Sequence, residues 1–161
     1  DAFQSALNEV TQNLAKQIVR DGERVTKFVE VQVSGAANDS DAQLVAQAVA
    51  NSNLVKSSWN GNDPNWGRII HAVGYAGAEV VPDRIDISFN DLPAAIGGMT
   101  AKEAKLEDLV AAVTKPEFQI QIRLGMGDGT GLVYASDLSP EYVDFNRAEY
   151  AATLAKKRQE G

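Results

Sequence analysis

The sequence predicts an α+β fold with a mixed sheet flanked by helices, and two observations carry that expectation. Apolar spacing switches repeatedly between steps of three or four and steps of two along the chain. The strand-like runs are mostly separated by stretches long enough for a helix, in the order α, β, α, β, α, β, α, β, β, α. A length of 161 residues suits a single domain, 1–161.

Phe3, Leu7, Val10, Leu14 and Ile18 fall on one face of a first helix, closed by the turn pair Asp21-Gly22. Val29, Val31 and Val33 then alternate with Glu30 and Gln32, as in a half-buried strand. Ser40 and Gln43 have capping-box spacing and predict a second helix burying Leu44, Val45, Ala48 and Val49. Leu54 to Trp59 reads as a short strand, followed by a polar loop from Asn60 to Asn65. Ile69 to Ala76 is apolar enough for a buried helix, and Ile85, Ile87 and Phe89 form a further strand. Lys102 to Val113 reads as a helix with Leu106, Leu109, Val110 and Val113 inward. The clearest strand is Phe118, Ile120, Ile122 and Leu124. The glycine-rich run Gly125 to Gly131 would turn it into a hairpin with Leu132 to Ala135. Ser139-Pro140 supplies an N-cap and a first-turn proline for a last helix running toward Lys156, with Lys156, Lys157 and Arg158 favoured near its C-terminal end.

Composition narrows the function classes. Hydrophobic residues make up 44% and charged residues 23%, which excludes a disordered chain. No apolar run approaches the ~20 residues that span a bilayer, and the first residues lack a secretion signal. With no cysteine, thiolate metal sites, disulfides and cysteine nucleophiles are absent. A net charge of -7 argues against a general nucleic-acid surface.

Four features are candidates for chemistry. Gly125, Gly127, Gly129 and Gly131 alternate, but Thr130 stands where a dinucleotide fingerprint needs glycine and no Lys-Ser/Thr pair follows, so a turn needing positive φ explains them better. His71 is the only histidine, flanked by Ile70 and Ala72, and reads as a core or hydrogen-bonded residue. No metal site and no cofactor is indicated. Glu23 lies between a helix and a strand, where its carboxylate either meets the amino group of an amino acid or is simply solvated. In the stretch Asn60 to Arg68, Arg68 could clamp a carboxylate and Trp66 needs shelter for its ring. Equally, Asp63 could cap a helix starting near Trp66 and Arg68 could form a structural ion pair.

Taken together, several segments resemble one family. They are Glu23-Arg24-Val25-Thr26-Lys27-Phe28-Val29-Glu30-Val31, Ala50-Asn51-Ser52, Asp63-Pro64-Asn65-Trp66-Gly67-Arg68, Val73-Gly74-Tyr75-Ala76-Gly77 and Ser136-Asp137-Leu138 with Asn146. The chain is similar to the C-terminal part of the β chain of ornithine acetyltransferases, also called glutamate N-acetyltransferases. The resemblance covers nearly all of it, and Asp63 to Arg68 is its most specific string.

The resemblance implies a self-cleaving threonine-nucleophile fold and a cytoplasmic enzyme of arginine biosynthesis. An acetyl group passes from N-acetylornithine, or in some members acetyl-CoA, through an acyl-threonine to glutamate. It implies substrate contacts by Glu23 and Asn146, and partners in an α chain and an upstream β segment, two copies of each chain or more. The sequence departs from the pattern at Arg24, where the family usually has glycine, and at Ala151, where it has a terminal serine or threonine, so no hydroxyl is carried over. Tyr150 lies one residue late, and the chain runs on to Gly161. No segment matches the nucleophilic threonine, and Thr26, Thr100 and Thr130 are internal, so the chain by itself is expected to be inactive. Two other readings are a related self-cleaving aminopeptidase, which would hydrolyse rather than transfer, and a non-catalytic amino-acid-binding domain.

Overall fold

A computed structural model describes residues 2–159, with side chains described as far as Ala152. Six strands form one sheet in the order β4-β3-β2-β5-β1-β6. They are β1 (Phe28–Ala36), β2 (Asp86–Phe89), β3 (Leu92–Ile96), β4 (Met99–Thr100), β5 (Glu117–Arg123) and β6 (Gly129–Ser136). β1 runs parallel to β5 and antiparallel to β6, and β2 is antiparallel to both β3 and β5, so the sheet is mixed as expected.

The helices are α1 (Ala2–Arg20), α2 (Asp39–Asn51), α3 (Asn53–Asn60), α4 (Trp66–Gly74), α5 (Leu106–Thr114) and α6 (Pro140–Gln159). Val29, Val31, Val33, Phe118, Ile120, Ile122, Ile87 and Phe89 all point to one face of the sheet, where they form the core with Val45, Val49, Trp59, Ile69 and Val73. The alternate residues face the other way, because successive strand side chains point to opposite sides. That second face carries Glu30, Gln32, Ser34, Gln121 and Arg123, and α1 crosses only part of it. Lys16 of α1 bonds Glu30 at 2.7 Å, and the Arg20 guanidinium lies 4.3 Å from the Phe28 ring centroid. The uncovered remainder is an open groove of about 720 Å³ between Gln32, Ser88, Gln121 and Leu132.

Several expectations from the sequence are corrected. The run Leu54 to Trp59 is helical, not a strand: Ser52 caps α3 through Val55, and Trp59 is fully enclosed, edge-on to Phe118 at 6.3 Å. The second helix is capped by Asn38, whose Oδ1 accepts from the Asp41 amide at 2.9 Å, rather than by Ser40. Its buried face is Ala42, Val45, Ala46, Val49 and Ala50, which leaves Leu44 exposed. In α5, Leu106 and Val110 face outward and Leu109 and Val113 inward. β3 and β4 have no expected counterpart; Asn90, at φ 48, turns β2 directly into β3, whose Pro93 and paired alanines show no alternation.

The largest correction concerns the expected hairpin. β5 and β6 are not neighbours, since β1 lies between them. Of the four glycines only Gly125 has positive φ, at 62°. Gly129 and Gly131 instead permit close packing on α2: a Cβ at Gly129 would sit 2.2 Å from the Asn38 carbonyl carbon, and one at Gly131 would sit 2.7 Å from that of Ala42. The glycines are required by backbone approach rather than by a turn.

The first helix forms where expected but buries nothing: Leu7, Val10, Leu14 and Ile18 are 43–75% exposed. Its charged side, with Lys16 and Arg20, holds it to the sheet. Lys156, Lys157 and Arg158 lie outside the described side chains.

Candidate functional site

The turn from α1 to β1 begins with the Gly22 amide donating to the Val19 carbonyl at 3.3 Å and closes with the Val25 amide donating to the Gly22 carbonyl at 3.2 Å. Glu23 and Arg24 stand exposed at its tip. The start of α6 lies beside it. Ser139 caps the helix, accepting from the Tyr142 amide at 3.1 Å, and its hydroxyl donates to the Arg24 carbonyl at 2.9 Å. One turn further on, the Asn146 amide donates to the Tyr142 carbonyl at 2.9 Å and to Glu23 Oε1 at 3.3 Å. The two residues singled out from the sequence, 123 positions apart, therefore meet. A carboxylate has two oxygens and about four acceptor sites, so one contact to Asn146 leaves room for an ammonium group.

The site rests on a buried polar cluster that sequence reasoning did not single out. The Asp137 carboxylate accepts from the Thr26 and Lys27 backbone amides, each at 2.9 Å, from the Thr26 hydroxyl at 2.5 Å and from Asn60 Nδ2 at 2.8 Å. Burial pushes the Asp137 carboxyl up, but these donors more than offset it and hold it below the ordinary carboxylate value. Lys27 is buried with it, donating to the Val113 carbonyl at 2.6 Å and to Asn62. Burial lowers the pKa of both Lys27 and Lys56, against the opposing pull of Asp137. The cluster fastens the strand entrance at Thr26-Lys27 to the exit of β6, and so fixes the spacing between the Glu23 turn and α6.

The string Asp63 to Arg68 is an ordered turn into α4, but its groups are spent on structure. Asn65, not Asp63, caps the helix, with Oδ1 accepting from the Arg68 amide at 3.1 Å. Its Nδ2 donates to Asp63 at 3.0 Å. Among the described residues Arg68 makes no ion pair; it donates to the Leu54 carbonyl at 2.7 Å and to Ser57 Oγ at 3.2 Å, tying α4 to α3. Trp66 is part-buried, its ring finding only partial shelter against the core. His71 is exposed, edge-on to Tyr75 at 5.4 Å, because it falls on the outer side of α4 while Ile69, Ala72 and Val73 fill the core. Among the described residues no group of three or more His, Asp or Glu side chains could hold a metal, and no helix is long and apolar enough to cross a membrane.

A mixed sheet, with α1 crossing part of one face and helices packed on the other, and a carboxylate–amide pair at the junction of the first and last helices define an α+β unit. The chain belongs to the ArgJ family, whose profile matches residues 1–152. It is 49% identical over 148 residues to the arginine biosynthesis bifunctional protein ArgJ of Geobacter sulfurreducens, covering 92% of this chain and 37% of that protein. The protein of the same name from Ruegeria pomeroyi is 44% identical over 148 residues, with 92% and 36% covered. The crystal structure of the Bacillus halodurans protein of that name superposes with a TM-score of 0.88 at 40% identity, covering 91% of this chain and 69% of that one. The chain thus spans little more than a third of the length of the curated relatives it matches.

Proposed function

We propose that this chain is the C-terminal part of the β chain of a glutamate N-acetyltransferase, and that within the complete protein it supplies the amino-acid-binding part of the acetyl-transfer site. The observation that carries the reading is the contact between Glu23 and Asn146, two residues carried over from the resemblance independently of each other. Glu23 would accept from an amino group of the amino-acid substrate, while Asn146 orients the Glu23 carboxylate. The family name of the relatives, arginine biosynthesis bifunctional protein, supports an enzyme of that pathway. The threonine nucleophile would come from the upstream β segment and further contacts from an α chain.

The exposed stripe Leu7, Val10, Leu14 and Ile18 supports such partners, because α1 is fastened by its charged side and presents its apolar side outward. Relatives carry almost two-thirds of their length beyond the matched part, which is ample to cover it.

The complete protein is assayed for acetyl transfer from N-acetylornithine with glutamate present and absent. Glu23→Gln should lower kcat/KM by about 2–3 kcal/mol in transition-state terms. Unchanged kinetics for both substrates reject the binding role, and acetate release independent of glutamate would replace transfer with hydrolysis.

A further inference from the structure

Arg24 occupies backbone space that residues other than glycine seldom enter, with φ 55. The other two described non-glycine residues at positive φ are Asn62 and Asn90, and a short amide tolerates that region by bonding locally. Arginine has no such compensation, and an outlier of this kind at a candidate site motivates a search for its use.

The contacts of Arg24 run to α6. Its carbonyl accepts from Ser139 Oγ, the N-cap of that helix, at 2.9 Å, and its guanidinium lies 5.0 Å from the ring centroid of Phe145. Phe145 directly precedes Asn146, and Arg24 directly follows Glu23. The pairs Arg24–Phe145 and Glu23–Asn146 are therefore adjacent rungs between the same turn and the same helix. Asn146 is also tied to its own helix through the Tyr142 carbonyl, so its amide moves as the helix rotates or shifts. At 3.3 Å, its contact with Glu23 is near the long limit of a hydrogen bond and has little slack.

We propose that Arg24 is a positioning residue for the amino-acid site: its guanidinium over Phe145 sets the approach of α6 that brings Asn146 to Glu23. The proposal rests on the Glu23–Asn146 reading above. Arg24 acts through Phe145 and touches no substrate. Cations over aromatic faces contribute through the ring quadrupole, and the part-buried Phe145 keeps its face toward the turn.

The complete protein is the object of the test, with Arg24→Leu, Arg24→Lys, Phe145→Leu, the Arg24→Leu/Phe145→Leu double variant and Glu23→Gln compared. Arg24→Leu should raise KM for glutamate and N-acetylornithine about two- to fivefold, with kcat and Tm nearly unchanged. Arg24→Lys should recover most of that loss. Phe145→Leu should match Arg24→Leu, and the double variant should be no worse than either, since both remove one contact. An unchanged KM in Arg24→Leu, with Glu23→Gln still impaired, overturns the positioning role and leaves the site reading intact. Additive losses in the double variant, or a fall in Tm that parallels the loss of activity, also overturn it. A Glu23→Gln enzyme with normal kinetics removes the site reading and this proposal together.

Discussion

Removing the Asp137 carboxylate should be among the most damaging single changes outside the apolar core. The side chain is 6% exposed and accepts four donors, two of them backbone amides at the strand entrance. Each hydrogen bond to a charged group is worth roughly 1.5–3 kcal/mol, but they share one carboxylate and do not add. Asp137→Ala also removes a favourable coulombic interaction with the buried Lys27 ammonium, whose own hydrogen bonds go to Asn62 and to backbone carbonyls. We expect a loss of about 3 kcal/mol for alanine and about 2 kcal/mol for Asp137→Asn, which keeps one acceptor oxygen. Urea unfolding of the 161-residue chain, followed by the fluorescence of Trp59 and Trp66, measures both. The folded-state pKa of Asp137 lies below its ordinary value, so its contribution is fully present above about pH 4 and is lost as pH falls through the depressed value. The stability difference between wild type and Asp137→Asn should be flat at neutral pH and shrink only in acid. An alanine variant within about 0.5 kcal/mol of wild type would refute the reasoning, as would a difference independent of pH down to acid unfolding.

Four other outcomes are expected. Gly129→Ala places a methyl 2.2 Å from the Asn38 carbonyl carbon and should cost about 3 kcal/mol or more, read as lost soluble expression or a collapsed Tm. Asn65→Ala removes the cap of α4 and should cost about 1 kcal/mol by denaturant titration. Leu14→Gln should leave the stability of this chain by itself unchanged, yet weaken its association with the rest of the protein by about 1–2 kcal/mol in sedimentation experiments. Incubating the chain by itself with N-acetylornithine should add no acetyl group by intact mass, because all six of its threonines are internal and lack a free α-amine.

The sequence by itself determined the class of the fold and the elements whose apolar pattern is one-sided. The valines of β1, the alternating Phe118 to Ile122 and the stripe of α1 are all legible, because periods of two and three-to-four follow from backbone geometry alone. It also carried Glu23 and Asn146, through resemblance rather than through spacing. What the tertiary structure decided are relations between distant segments. Leu54 to Trp59 has a strand-like composition but folds as a helix because Ser52 caps it and Trp59 enters the core. Gly125 to Gly131 looks like a turn, yet the strand inserted between its flanks is β1, roughly 90 residues upstream, and local sequence holds no record of that pairing. His71 passed for a core residue because its neighbours are apolar, and only the rotation of α4 puts it outside. Asp137 is the sharpest case: its partners Thr26 and Lys27 lie more than a hundred positions away. Local periodicity reports which face of an element is apolar, whereas the meeting of a carboxylate with its donors depends on how the sheet is ordered, and that order follows from the simultaneous burial of all its faces.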